Sequence, residues 1–156
     1  PWIGECPHLV VTRSTGKAWA MAGLRIGYAA AAGDVAAVLH KVRPMYEVNG
    51  LALAAMAGLI VRADEIMAAA QRINAGKDYF VSRMHGLELR TLDCAGNFVH
   101  VDFGDARNAV HARLANRVLY KPSFGDACLA SFSRFTTAPE ETMAALSDII
   151  EGALNG

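Results

Sequence analysis

Several broad classes of protein are argued against by what this chain has little of. Only three cysteines occur in its 156 residues, Cys6, Cys94 and Cys128. They are odd in number, far apart and in no C-x-x-C arrangement, which argues against a disulfide framework or a zinc site. The five histidines, His8, His40, His85, His100 and His111, form no H-x-x-x-H pair and read as surface or edge residues rather than metal ligands. Neither sign of charge is in excess: fifteen basic residues balance fifteen acidic ones, so the electrostatic footprint of a nucleic-acid binder is missing. The longest uninterrupted apolar run, Leu51 to Val61, is too short to span a bilayer, and no signal peptide is visible. Neither nucleic acid nor membrane is expected as a partner, and a reducing cytoplasm is the expected compartment. No repeat or low-complexity tract interrupts the chain.

What is abundant is apolar surface. The hydrophobic share is 53%, largely through alanine, and Ala-rich helices pack closely. Some of that surface is expected to be covered by more protein or by a partner subunit.

Along the chain, Pro1-Trp2-Ile3-Gly4-Glu5-Cys6 reads as a loop. Leu9-Val10-Val11 predicts a buried strand, and Ile26 to Ala30 the next one, so that the residues between them lie near strand ends, where open α/β sheets bind ligands. Asp34 is a candidate N-cap for a helix carrying Val35, Val38, Leu39 and Val42 at i, i+3, i+4, i+7 spacing, closed by Pro44. A long helical stretch follows from about Leu51 to Ile73 and continues past Gly76 through Tyr79, Phe80 and Met84, with its Met and aromatic residues read as a core stripe. Phe98 to Phe103 alternates like a strand with one exposed face, Asn108 to Asn116 reads as a helix, and Val118 to Tyr120 and Leu129 to Phe135 read as further strands. Thr137 with Glu140 has capping-box spacing for a last helix that turns Met143, Leu146, Ile150 and Leu154 inward. Together these predict a three-stranded sheet with helices on one face.

The stretch richest in chemistry runs from Ser14 to Tyr28. Lys17 stands among Gly16 and small residues, with the Ser14 hydroxyl three positions before it and Arg25 eight after: one amine, one hydrogen-bond donor and one phosphate-grade cation close together. An amine bonds to an aldehyde near neutral pH only if desolvation or a neighbouring positive charge lowers its pKa, and Arg25 is such a charge. The Gly16-Lys17 pair is not a P-loop, because Val11 and Ala18 stand where that motif needs Gly and Ser or Thr.

Ser14-Thr15-Gly16-Lys17-Ala18-Trp19-Ala20-Met21-Ala22-Gly23-Leu24-Arg25-Ile26-Gly27-Tyr28 closely resembles the cofactor-lysine motif of fold-type I pyridoxal-phosphate enzymes, above all the histidinol-phosphate aminotransferase branch, S-x-S-K-x-x-G-L-A-G-L-R-x-G-Y. It departs at Gly16, where the family usually has Ser, and at Ala20, where Gly is frequent. Arg43-Pro44-Met45-Tyr46-Glu47-Val48-Asn49 resembles the R-P-P-Y-x-V-N loop that edges the active site, with Met45 in place of the second Pro. Arg134-Phe135-Thr136-Thr137-Ala138-Pro139-Glu140-Glu141 resembles the R-x-T-x-A-P-x-E joint, whose arginine grips the substrate carboxylate. The resemblance implies the C-terminal part of an α/β aspartate-aminotransferase-like fold: the end of the large cofactor domain over residues 1–49, a connecting helix over 50–86, and a small α+β domain over 87–156. It implies pyridoxal 5'-phosphate as cofactor, Lys17 as the Schiff-base lysine and catalytic proton shuttle, Ser14 and Arg25 on the cofactor phosphate, and Arg134 on the substrate. The implied activity is amino-group transfer between an amino acid or amino-alcohol phosphate and a keto acid, in a homodimer. Two alternatives stay open at this point, a decarboxylase of phosphothreonine type and a fragment without activity of its own, since the family's ring-stacking aromatic and pyridine-pairing Asp would lie upstream.

Overall fold

The computed structural model describes residues 2–92 and 94–156, so Pro1 and Asp93 lie outside the described residues. By its internal contacts the chain divides into two compact units, one ending at Met67 and the other beginning at Ala68.

The first unit opens with a single helical turn, α1 (Trp2–Glu5), where a loop was expected; the Cys6 N–H donates back to the Trp2 carbonyl at 2.8 Å and closes it. Strands β1 (Val10–Ser14) and β2 (Gly27–Ala31) then pair antiparallel, Val10 opposite Ala31 and Ser14 opposite Gly27. Gly27 is needed at that junction, because a Cβ there would stand 2.8 Å from the Arg13 carbonyl oxygen. Helix α2 (Gly33–Lys41) packs against β2. Asp34 is not its N-cap: Ala32 holds that position and Asp34 lies in the first turn, where its charge suits the helix dipole but its side chain caps nothing.

Helix α3 (Gly50–Ile60) has a side-chain cap, Asn49, whose Oδ1 accepts from the Ala52 N–H at 2.8 Å. The long helix expected from Leu51 to Ile73 is broken. Val61 and Arg62 form a turn in which the Arg62 N–H bonds to the Leu59 carbonyl, and α4 (Ala63–Gly86) begins only after it. The Arg62 guanidinium closes on the Glu65 carboxylate with two 2.8 Å bonds, a pairing across the first turn of α4 that apolar periodicity does not register.

In the second unit, a three-stranded antiparallel sheet forms in the order β3 (Arg90–Leu92), β4 (Phe98–Asp102), β5 (Phe132–Thr136). Three strands were expected, but not these three. Val118 to Tyr120 is no strand, and the chain there contributes only one bridge, Lys121 to Arg134. The run from Leu129 starts in a 3-10 turn (Ala127–Leu129) and extends only from Phe132. The third strand is the short, half-polar β3. One sheet face presents Val99, Val101 and Phe135, which pack with Phe80 and Met84 of α4, Val110 and Leu114 of α5 (Arg107–Leu114), and Met143, Leu146 and Ile150 of α6 (Glu140–Leu154). The Phe135 ring stacks on Tyr120 with centroids 4.8 Å apart and meets Phe80 and Phe103 at 5.8 and 6.0 Å.

The expected capping box does not form. Pro139 takes the N-cap position of α6, while the Thr137 N–H donates to the Asn97 carbonyl and its hydroxyl is buried with no hydrogen-bond partner among the described residues. Thr137 sits two residues outside the cap position because the chain is still extended there, tied to the β3–β4 connection. Beside it α4 makes its closest approach: a Cβ on Gly76 would lie 2.0 Å from the Ala138 carbonyl oxygen and 2.8 Å from the Pro139 carbonyl carbon. No side chain yields there, only backbone. Gly76→Ala is therefore expected to destabilise the second unit by about 3 kcal/mol, read as a lower urea midpoint. A midpoint equal to that of the unchanged chain would show that α4 can move away at no cost.

Candidate functional site

The connection from Ser14 to Gly27 is pinned at its base by Thr15. That side chain is 1% exposed and donates from Oγ1 to the Ile26 carbonyl at 2.6 Å, while the Thr15 N–H donates to the same oxygen at 3.3 Å. Between these ends the Met21 N–H returns to the Thr15 carbonyl at 3.1 Å and the Ala20 N–H to the Lys17 carbonyl at 2.9 Å, and Met21 is buried. Two residues with side chains are held in the left-handed region, Ala20 at φ 54° and Arg25 at φ 53°. Each costs on the order of 1 kcal/mol or more and persists because surrounding bonds over-determine it. One such bond comes from outside the turn: Asn49, whose Oδ1 caps α3, donates from Nδ2 to the Leu24 carbonyl at 3.2 Å, next to Arg25.

This fold of the turn creates a pocket of about 310 Å³ whose polar lining includes Thr12, Arg13, Ser14 and Arg25, with Gly16, Met21 and Ala22 among its other walls. No carboxylate lines it. The Ser14 Oγ accepts the Gly16 N–H at 3.1 Å, which leaves the hydroxyl hydrogen to donate into the pocket. The Arg25 guanidinium has one N–H on the Ala22 carbonyl at 3.4 Å and the rest unengaged among the described residues. Two guanidinium groups and a hydroxyl without an acid fit the phosphate end of the cofactor that the resemblance implies. Gly16 fits as well: a Cβ there would stand 3.2 Å from Ala22 Cα and 3.3 Å from Ser14 Oγ, so glycine keeps that wall open. The structure thus brings Ser14 and Arg25 onto one pocket. Lys17 follows Gly16 in the same turn, exposed and outside the pocket lining.

Arg134 belongs to the second unit. It lies on β5 on the face opposite Phe135, exposed, with its guanidinium carbon 5.4 Å from the Phe98 ring centroid. Opposite it on β4 is His100, and the Arg134 backbone exchanges bonds with Lys121 at 2.8 and 3.0 Å. Burial, and then the nearby Arg134 charge, push the His100 imidazole below its ordinary pKa. On the same face, burial alone would push the Asp102 carboxyl up, but bonds from the Gly104 N–H, the Ser131 hydroxyl and Arg90 outweigh it and hold that group below the usual carboxylate value.

Sequence reasoning passed over Thr15 and Arg13 as parts of the site, and placed Asn49 in a loop at its edge without either of its bonds. Thr15 offered no signal, since a buried anchor and a solvated turn hydroxyl look alike in one dimension. Asn49 did offer one: an Asn immediately before an apolar helical run is a cap, although its second bond is long-range.

A family model described as aminotransferase class I and II matches residues 1–150. Among curated proteins, histidinol-phosphate aminotransferase 1 of Nitrosococcus oceani is 31% identical over 98% of this chain and 41% of its own length. Histidinol-phosphate aminotransferase 2 of Pseudomonas aeruginosa is 36% identical over 80% of this chain and 34% of its own. Among solved structures, histidinol-phosphate aminotransferase from Sinorhizobium meliloti in complex with pyridoxal-5'-phosphate is 25% identical, with a TM-score of 0.76 over 96% of this chain and 42% of that one. The enzyme from Clostridium acetobutylicum shares the fold at a TM-score of 0.79 and 20% identity. The α/β architecture is therefore that of part of an aminotransferase fold, and the chain spans about two fifths of the length of the first of these relatives.

Thr15→Val removes the buried donor without changing the shape much. It is expected to cost about 1–2 kcal/mol and to speed amide hydrogen exchange across residues 15–26 ahead of the rest of the first unit. Unchanged exchange in that stretch would mean that Thr15 is not its anchor.

Proposed function

Because this chain belongs to the class I and II aminotransferases, we propose that it forms part of a pyridoxal 5'-phosphate-dependent aminotransferase of the histidinol-phosphate type, which moves an amino group between an amino acid or amino-alcohol phosphate and a keto acid. The observation that carries this reading is the acid-free pocket of Ser14, Gly16 and Arg25 folded around the turn that bears Lys17. The names of the curated relatives and the cofactor in the Sinorhizobium meliloti protein support it. In this reading residues 1–49 close the cofactor domain, 50–86 connect, and 87–156 form the small domain. Cytoplasmic location is part of the same proposal; no described helix is long and apolar enough to cross a membrane.

Bound at this pocket, pyridoxal phosphate supplies an aldehyde carbon and a ring that accepts electron density. The chain's own residues do the remaining work. Ser14 donates its hydroxyl hydrogen and Arg25 its free N–H groups to the phosphate. Lys17 Nζ would present the amine that faces the cofactor's aldehyde and would hold and pass the proton exchanged at the substrate α-carbon. Arg134 offers two parallel N–H donors to the substrate carboxylate, a geometry that a lysine cannot match.

Of the other lysines, Lys77 is spent on the carbonyls of Cys94 and Gly96, and the Lys121 ammonium lies 4.3 Å over the Phe124 ring. Borohydride reduction of cofactor-saturated protein carrying this segment is therefore expected to leave the cofactor mass on the peptide of Lys17. A label on Lys41, Lys77 or Lys121 instead would overturn the assignment. Lys17→Ala should lower turnover by at least about 10²–10⁴-fold while the phosphate pocket still takes up the cofactor.

Assembly as a homodimer completes the reading. Helix α3 leaves Leu51, Leu53 and Ile60 more than half exposed, beside Val61 at 82%, a run of apolar surface that favours a covering partner. Sedimentation equilibrium at micromolar concentration should show a two-fold species; a monomer throughout would remove the dimer from the proposal.

A further inference from the structure

The outer face of the second unit's sheet carries more nitrogen than the carboxylate-binding role of Arg134 uses. Strand pairing sets His100 directly across from Arg134, and the bridge at Lys121 brings a third basic side chain alongside. Directly opposed residues have Cβ atoms about 5 Å apart, within reach of one small anion. Their floor is aromatic: the His100 ring lies 5.2 Å from Phe98 and 5.3 Å from Phe124, and Phe124 also lies under the Lys121 ammonium. Among the described residues, none of the three side chains has a hydrogen bond or a carboxylate partner. The charged groups facing His100 are Arg134 from β5, Lys121 from the bridging segment, and Arg90 and Asp102 further along the same face. Asp102 cannot neutralise the cluster, because it is engaged by Arg90, Ser131 and the Gly104 N–H.

We propose that His100 is a specificity-determining residue acting beside Arg134: it donates to the anionic group of the substrate and takes up a proton from solvent as that group binds, favouring a doubly charged phosphate over a singly charged carboxylate. This rests on the reading of Arg134 as the substrate's anion-binding residue and names the substrate class that reading leaves open. The donor count supports it. A guanidinium satisfies two oxygens, which completes a carboxylate, whereas a phosphate presents a third oxygen that needs another donor. The electrostatics point the same way. Burial and the Arg134 charge both disfavour a proton on His100 in the free protein, since that proton adds to an unneutralised pair of cations. An anion reverses that penalty, so binding strengthens as pH falls through the interval between the free and bound midpoints of His100.

The test uses this chain, labelled with ¹⁵N, and sulfate as a tetrahedral probe that stays doubly charged throughout the range in which His100 titrates, with acetate as the singly charged control. The His100 ring nitrogens are followed against pH with and without anion, at constant ionic strength. Saturating sulfate is expected to raise the midpoint by about one pH unit, which by linkage is a tenfold change in affinity across the titration, and acetate to raise it less. His100→Leu should weaken sulfate binding about tenfold. His100→Gln keeps a donor that cannot take up a proton, so it should bind sulfate with a flat pH profile, which a purely structural role for His100 would not produce. A midpoint unmoved by saturating sulfate, or equal sulfate affinity in His100→Leu, overturns the proposal. Arg134→Gln separates the two readings. If sulfate binding survives that change yet falls in His100→Leu, the role of Arg134 fails and that of His100 stands. If it falls only in Arg134→Gln, the proposal for His100 fails alone.

Discussion

Phe135 cannot be buried unless Arg134 is turned outward. Successive side chains of a strand point to opposite faces, so seating one aromatic ring in the core against Phe80, Phe103 and Tyr120 settles the direction of its neighbour. The same alternation on β4 buries Val99 and Val101 and leaves Phe98 and His100 on the face of Arg134. A slip of one residue in this sheet would put a guanidinium and an imidazole into the core, at a cost of several kcal/mol for burying unpaired charged and polar groups. The apolar core thus holds the polar face in register, and the candidate chemistry on that face needs no separate structural device.

The first unit solves a comparable problem without a large core. Its candidate site is a turn, and a turn has to be specified by hydrogen bonds. Thr15 does this by closing two bonds on one carbonyl, and Asn49 by joining the cap of α3 to the residue before Arg25. The left-handed backbone at Arg25 is the strained element those bonds hold, and it is the residue that reaches the acid-free pocket. Strain of this kind is expected where a side chain must be aimed at a ligand rather than packed.

Much of the secondary structure was legible where the chemistry is local. The apolar stripe of α6 and the alternation of β4 follow from period-3.6 and period-two patterns within a few residues, and the strands on either side of Lys17 from short apolar runs, although β1 is largely exposed where a buried strand was expected. Reading failed where a distant partner decides. β3 is short and half polar, and only pairing with β4 makes it a strand. Val118 to Tyr120 has the β-branched and aromatic character of a strand, yet Tyr120 stacks on Phe135 and pairing with β5 is confined, among the described residues, to the next residue, Lys121. Thr137 and Glu140 have the spacing of a capping box, but the Asn97 carbonyl holds the Thr137 N–H in an extended segment. The break at Val61 and Arg62 interrupts a run of good helix formers because a turn closed by Arg62 and Glu65 competes there.

The sequence by itself determined the chemical inventory of this protein: a lysine in a small-residue turn with a serine before it and an arginine after it, an arginine on a strand next to a core phenylalanine, balanced charge and an apolar excess. Those features rest on residue identity and short spacing, which survive in one dimension. Only the tertiary structure decided that Ser14 and Arg25 share one pocket while Lys17 stays outside its lining, that Gly76 is where α4 meets the backbone before α6, and that His100 stands across a strand from Arg134 on an aromatic floor. Each of these is a contact between residues far apart along the chain. The environment that sets the protonation of His100 or the tolerance of Gly76 is made of atoms that no local window of sequence contains.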